Sequence, residues 1–202
     1  MKDFVMDKLR LTCETLGQHH TVALGKPENI EYVLCGYKTG HTAPAEGWQP
    51  LTPAVNIDGV DKHCWFRFDV ETPVLPEHKS VYLRMTTGHE GEWDASNPQG
   101  LLYINGKMVQ GLDTNHTEAL LPAGEKLHIE IYYYTGMEGS DCYIRFALEE
   151  VDQRIFAAYY DFLVPYRALC RMNDNGTEYP ISAGDTAIVT AGNGHAVANR
   201  GT

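Results

Sequence analysis

Residues 97–116 read Asn-Pro-Gln-Gly-Leu-Leu-Tyr-Ile-Asn-Gly-Lys-Met-Val-Gln-Gly-Leu-Asp-Thr-Asn-His. Within this stretch, two extended runs flank the dipeptide Asn105-Gly106. Asn-Gly between such runs is a strong hairpin signal, because a type I′ turn requires positive φ at both central residues. We therefore predict an antiparallel hairpin that makes Gln99 and Gly111 neighbours and brings the loops at its outer ends onto one rim.

A period-two pattern continues on both sides of this hairpin. Residues 64–70 alternate between apolar side chains and a second row containing Arg67 and Asp69, which predicts one buried and one solvent-facing side. Further strands are predicted at 30–35, 81–86, 118–121, 126–135 and 142–150. Short strands separated by turns rich in Gly and Pro indicate a mainly β protein, an antiparallel β-sandwich of the jelly-roll type.

Helical periodicity marks both ends of this β region. An N-terminal helix is predicted over 3–16, with Gly17 as its stop. A C-terminal helix is predicted after Asp152, which can cap it, with a kink or break before Pro165. From Ile181 to the end, the sequence consists mostly of small residues and has no aromatic one, so we expect a sandwich domain at 1–178 and a tail at 179–202 outside its core.

Composition narrows the class of partner. The chain of 202 residues carries a net charge of −11, which disfavours nucleic acid and anionic membranes and favours a neutral ligand, such as a sugar, or a protein surface. The five cysteines form no Cys-x-x-Cys pair, so we predict reduced thiols without a disulfide framework or a zinc knuckle. We expect no cofactor in this chain. With neither a signal peptide nor a membrane span in the pattern, we expect a cytoplasmic protein.

Two polar loops carry the candidate binding residues. The first is Asp113-Thr-Asn-His116, in which Asp113, Asn115 and His116 can contact a sugar or a second domain. A metal-ligand pair is a further possibility for this loop, and so is an Asx turn with a purely structural role.

The second loop is His89-Glu-Gly-Glu-Trp-Asp94. Here Trp93 can stack on a pyranose ring while Glu92 and Asp94 accept hydrogen bonds from its hydroxyls. The alternatives are an exposed acidic loop with Trp93 tucked against the sandwich, or a catalytic carboxylate pair, which glycoside hydrolysis requires at a fixed separation.

Two further features have competing interpretations. Arg67 shares a strand face with Trp65, so the two can stack, either to support the sandwich or next to a buried acid. Cys64 could be read as a nucleophile, but it alternates onto the core side of its strand. No Gly-x-Ser-x-Gly elbow, phosphate loop, Gly-x-Gly-x-x-Gly or His-Glu-x-x-His motif occurs. We therefore predict no catalytic residue in this chain.

Four segments together resemble a known family. They are Trp48-Gln-Pro-Leu51, Trp65-Phe-Arg67, the 97–116 stretch and Tyr159-Tyr-Asp161, and they resemble the N-terminal region of family-thirty-eight α-mannosidases of the bacterial and cytosolic type over residues 1–178. The resemblance implies a non-catalytic β-sandwich that supports the catalytic domain and contacts mannoside substrate. Its partner would be that catalytic domain or a mannose-containing glycan.

The resemblance does not extend to the catalytic apparatus. In the family, zinc and an Asp nucleophile belong to a separate catalytic domain, and no Gly-His-x-His-x-Asp motif occurs here. The family continues as helix where this chain has its tail, which suggests a truncated or frame-shifted product. Two alternatives stay open, a free-standing lectin-like module and a small self-sufficient hydrolase.

Overall fold

The computed structural model describes residues 2–37, 42–90, 98–137 and 141–175. Their helices and strands, in chain order, are α1 Lys2–His19, β1 Thr21–Gly25, β2 Glu31–Cys35, β3 Gln49–Pro50, β4 His63–Glu71, β5 Lys79–Thr86, β6 Gln99–Ile104, β7 Lys107–Asp113, β8 Glu118–Leu121, β9 Lys126–Tyr134, β10 Arg145–Asp152 and α2 Gln153–Asn175. The helices form one compact unit, and Val22–Val151 forms a second.

The second unit is a β-sandwich. A four-stranded sheet has the order β1-β10-β5-β8, and a six-stranded sheet has the order β3-β2-β4-β9-β6-β7. Apolar side chains from both sheets form one core, including Phe66 and Ile131 from the larger sheet and Leu83 and Phe146 from the smaller. The predicted mainly β class, with a helix at each end of the chain, is confirmed.

The Asn-Gly hairpin has the predicted turn. Asn105 has φ 52° and Gly106 has φ 75°, the positive pair that type I′ requires. Asn105 is also anchored to β9, because its N–H donates to the carbonyl of His128 at 2.8 Å and its Oδ1 accepts from the His128 N–H at 2.9 Å. Asn105 therefore sets the turn and also links it by hydrogen bonds to β9.

The register of this hairpin differs from the simple expectation. An irregularity in the pairing between Leu102 and Tyr103 shifts the partners on β7. As a result Gln99 pairs with Asp113, whereas Gly111 pairs with Leu101. This shift places the Asp113 loop directly beside the start of β6.

Two short strands were not predicted, and one predicted strand is shorter. β1 and β3 lie in the Gly- and Pro-rich region, where they pair at sheet edges. Cys142 makes only an isolated bridge with Ile57, and β10 begins at Arg145. Edge strands need less apolar patterning than central ones, which explains why the sequence pattern misses them.

The helical unit corrects two expectations and meets a third. Gly17 does not end α1, because the helix continues to His19. A Cβ at Gly17 would lie 3.3 Å from the ring of Tyr159, so the glycine permits close packing of α2.

Asp152 caps α2 as predicted, accepting from the Arg154 N–H at 3.0 Å. α2 is continuous across Pro165, so the expected break is absent, while a kink before Pro165 stays a prediction. Within the described residues, neither helix is long and apolar enough to cross a membrane. The predicted tail at 179–202 lies outside the described residues.

Candidate functional site

Strand pairing aligns two rows of residues on the outer face of the six-stranded sheet, the side turned away from the core. Residues of a row are direct partners on neighbouring strands, β2 to β4, β4 to β9, β9 to β6 and β6 to β7. The first row is Cys35, His63, Tyr134, Gln99 and Asp113. The second row is Val33, Trp65, Tyr132, Leu101 and Gly111.

A cleft of about 1030 Å³ lies over these rows. Gly111 helps to form it, because its row position carries no side chain. A Cβ placed there would meet the carbonyl oxygen of Gly100 at 3.8 Å, an ordinary contact, so close packing does not require the glycine. The lining residues are Gly36, Tyr37, Asp61, His63, Gln99, Gly100, Leu101, Gly111, Leu112, Asp113, His116, Tyr132 and Tyr134.

Aromatic rings form much of this lining. The ring of His63 stacks with Tyr134 at a centroid distance of 4.9 Å and with Tyr132 at 5.7 Å. Tyr37 approaches the same imidazole at 5.7 Å. The hydroxyl of Tyr132 is hydrogen-bonded to His63 Nδ1 at 2.7 Å, and Trp65 packs against Tyr132 at 5.3 Å. These contacts hold the rings in place before any ligand binds.

Carboxylates line the cleft at two positions. Asp61 accepts a hydrogen bond from the hydroxyl of Tyr134, and this bond raises the pKa of the phenol. Asp113 accepts from the backbone N–H groups of Asn115 and His116 at 2.8 and 2.6 Å, and its carboxylate lies 3.0 Å from His116 Nδ1. Partial burial raises the pKa of Asp113, but these hydrogen bonds outweigh it and hold the pKa below its usual value. The cleft therefore contains an ionised acceptor at neutral pH.

Only some of the predicted site residues line the cleft. Asp113 and His116 line the cleft. Asn115 belongs to the Asx turn, through its N–H bond to Asp113, and is not among the lining residues. Glu92, Trp93 and Asp94 lie outside the described residues, as does the predicted proximity of Trp93 to His116.

Arg67 does not stack on Trp65, in contrast to the prediction. Its guanidinium lies 4.0 Å from the ring centroid of Trp48, and it pairs with Glu31 at 2.7 Å. The reason is that β3 pairs with β2 and β2 pairs with β4, so Trp48, directly before β3, lies within reach of Arg67.

Sequence reasoning missed the aromatic part of the cleft. A signal was present in the triplet Tyr132-Tyr-Tyr134 at the end of β9. Because successive strand residues point to opposite faces, Tyr133 enters the core and the two flanking tyrosines share the outer face. For Asp61 the sequence contains no such pattern, because a turn and not a strand brings it to the cleft; its φ in that turn is 53°.

This arrangement suits reversible binding of a small polar molecule. Aromatic faces take apolar C–H surfaces, and the carboxylates and Gln99 offer hydrogen-bonding groups around them. Within the described ranges, no three His, Cys, Asp or Glu side chains are grouped in a way that could hold a metal ion.

No protein-family model and no curated protein sequence matches the chain. Solved structures do match. A β-glucuronidase from Faecalibacterium prausnitzii matches 66% of this chain and 31% of its own, with 10% identity and a TM-score of 0.45. A family 35 carbohydrate-binding module from Clostridium thermocellum matches 64% of this chain and 96% of its own, with 11% identity and a TM-score of 0.31. A β-glucosidase from Kluyveromyces marxianus, in complex with glucose, matches 71% of this chain and 18% of its own, with 10% identity and a TM-score of 0.31. The chain thus spans under a third of the two matched hydrolases and nearly all of the matched module.

Proposed function

We propose that this chain is a non-catalytic, carbohydrate-binding accessory domain whose ligand lies in the cleft on the outer sheet face. One observation carries the proposal, namely that Tyr37, Tyr132 and Tyr134 line an open cleft together with Asp61 and Asp113. A pyranose presents apolar C–H faces and a rim of hydroxyls. Tyrosine rings complement the faces, and carboxylates complement the rim.

The finer proposal is that the domain belongs to an α-mannosidase-like glycoside hydrolase in the cytoplasm. Its support is the sequence resemblance described above. The most specific segment of that resemblance, 97–116, forms β6, β7 and the Asp113 turn, which make one wall of the cleft. On this proposal the ligand is a mannoside, and the partner is a catalytic domain that holds the zinc ion.

Calorimetric titration with an α-linked mannotriose tests binding. Tyr37 is the most informative position, because it lines the cleft and is 66% exposed, so its loss leaves the core intact. Tyr37→Ala should weaken binding about fivefold, since removing ~40 Å² of apolar contact costs ~1 kcal/mol. The matched control is Tyr143→Ala, another tyrosine with 43% exposure that does not line the cleft. Equal affinities for the two variants would contradict the proposed site.

A free-standing lectin-like module is the second candidate. It is favoured by the fact that every lining residue falls within the Val22–Val151 unit, so the cleft needs no second domain. A glycan array run with this chain alone separates the two candidates. A module of independent function should give selective binding, whereas an accessory domain should bind weakly alone and more tightly when joined to its catalytic domain.

Both candidates predict that the isolated chain does not hydrolyse an aryl α-mannoside, with or without added zinc. The measurement is release of the aryl group by purified protein. Zinc-dependent turnover that persists through further purification would favour the self-sufficient hydrolase instead.

A further inference from the structure

We infer that the cleft selects sugars by charge, favouring neutral hexoses and protonated amino sugars over uronates, with Asp61 and Asp113 as the specificity-determining residues. This inference rests on the proposed function, since it names the ligand class of the same cleft. It is carried by the position of the two carboxylates and by the groups that surround them.

The carboxylates lie at separate points of the cleft. Asp113 ends the first row on β7, and Asp61 is hydrogen-bonded to Tyr134, which lies in the same row on β9. β9 and β7 are separated by β6, so the two strands are roughly 10 Å apart. A sugar that covers Tyr134 and Gln99 therefore has a carboxylate on either side.

The described lining residues contain no lysine or arginine to offset these acids. Arg67, on β4 of the same sheet face, is engaged by Trp48 and Glu31. The net charge of −11 adds a long-range potential of the same sign. A carboxylate on the ligand therefore meets two acids and no lysine or arginine among the described lining residues, whereas an ammonium group meets two acceptors.

The geometry also keeps the charge of Asp113 in place. The groups facing it are the N–H donors of Asn115 and His116, the His116 imidazole, and its row partner Gln99. These donors stabilise the ionised form, consistent with the lowered pKa of this carboxyl. Asp113 is thus a fixed negative end of the row.

The same sheet face supplies a matched control. Asp69 and His128 form an Asp–His pair at 2.7 Å, close to the 3.0 Å of Asp113 and His116. Asp69 lies six residues beyond His63 on β4, which corresponds to roughly 20 Å along the strand. It does not line the cleft. Asp69→Asn therefore changes the net charge by the same amount as Asp113→Asn without changing the site.

The test measures the affinities of methyl α-mannopyranoside, its mannuronate counterpart and mannosamine at pH 7 in about 10 mM salt, where the screening length is ~30 Å. Two charges ~6 Å apart in a water-like medium change affinity about threefold, so two carboxylates should weaken uronate binding about tenfold relative to the neutral sugar. The difference should shrink in about 1 M salt, where the screening length is ~3 Å.

Variants then show which carboxylates cause the difference in affinity between neutral sugar and uronate. Asp61→Asn and Asp113→Asn should each lower the ratio of neutral-sugar affinity to uronate affinity about threefold, because each removes one negative charge while asparagine keeps a hydrogen-bond acceptor of the same shape. Asp69→Asn should lower this ratio much less. If wild-type protein binds neutral sugar and uronate equally, the charge selection is overturned while the proposed function stands. If no sugar binds at all, both are overturned.

Discussion

The two faces of the six-stranded sheet differ in what buries them. On the inner face, Phe66 and Ile131 are fully buried because the four-stranded sheet covers them. On the outer face, Trp65 is 3% exposed and Tyr132 is 6% exposed, although no second sheet formed by the described residues lies there. These rings are buried by one another and by side chains such as Val33 and Trp48. Alternation along a strand therefore predicts the direction of a side chain, whereas its burial depends on the neighbours it meets.

Two adjacent leucines on β6 give the sharpest test of this difference. Leu102 is fully buried on the inner face, whereas Leu101 is half-buried beside Tyr132 and lines the cleft. Leu102→Ala should lower the free energy of unfolding by about 3–4 kcal/mol, because it leaves a cavity in close-packed surroundings. Leu101→Ala should cost about 1 kcal/mol and enlarge the cleft. Denaturant unfolding measures both, and equal losses would show that the outer cluster is as essential to the fold as the core.

The turn that joins β6 to β7 should matter more than the loop that follows β7. Asn105→Pro should cost about 3 kcal/mol or more, because proline fixes φ near −65° where the turn requires a positive φ, and it removes the N–H donated to His128. His116→Ala removes only a mostly exposed partner of Asp113 and should cost well under 1 kcal/mol. Thermal melting of the two variants provides the comparison. Similar losses would contradict the role assigned to the turn.

These features also show what the sequence could predict. The hairpin and the inner rows follow from local rules, since Asn105-Gly106 specifies a turn and alternation specifies a face. The cleft does not follow from local rules, because its rings meet only through pairing across β4, β9 and β6. The register of Gln99 with Asp113 depends on an irregularity that has no marker in the sequence. Asp113 and His116 were found because they are close in the chain, and Asp61 was missed because it is close only in space.

The charged end of the outer face should contribute less than its leucines and its turn. Arg67 is stacked on Trp48 and paired with Glu31, and both partners of the ion pair are more than a third exposed. Arg67→Ala should therefore cost about 1 kcal/mol, combining a cation–π contact with a solvent-screened ion pair. A double-mutant cycle with Trp48→Ala should return a coupling of about 0.5–1 kcal/mol. A coupling near zero would show that the stacking contributes nothing to stability.

The smallest expected effect is the pH dependence that Asp113 contributes. Its pKa is held below the usual value in the folded protein, so this carboxyl stabilises the fold fully above the ordinary Asp pKa of about 4 and loses that contribution as the pH falls further. The cause is that the unfolded chain takes up a proton at a higher pH than the folded one. Asp113→Asn should therefore show a shallower loss of stability between about pH 4 and pH 2 than the wild-type protein. The loss of stability for His116→Ala should lie between those of the other two proteins, because it removes the side-chain donor and leaves the backbone donors in place.

Unfolding free energies measured across this pH range give the three slopes. Parallel curves for all three proteins would mean that the Asp113 turn adds no pH-dependent stability, and that its charge matters only to a ligand in the cleft.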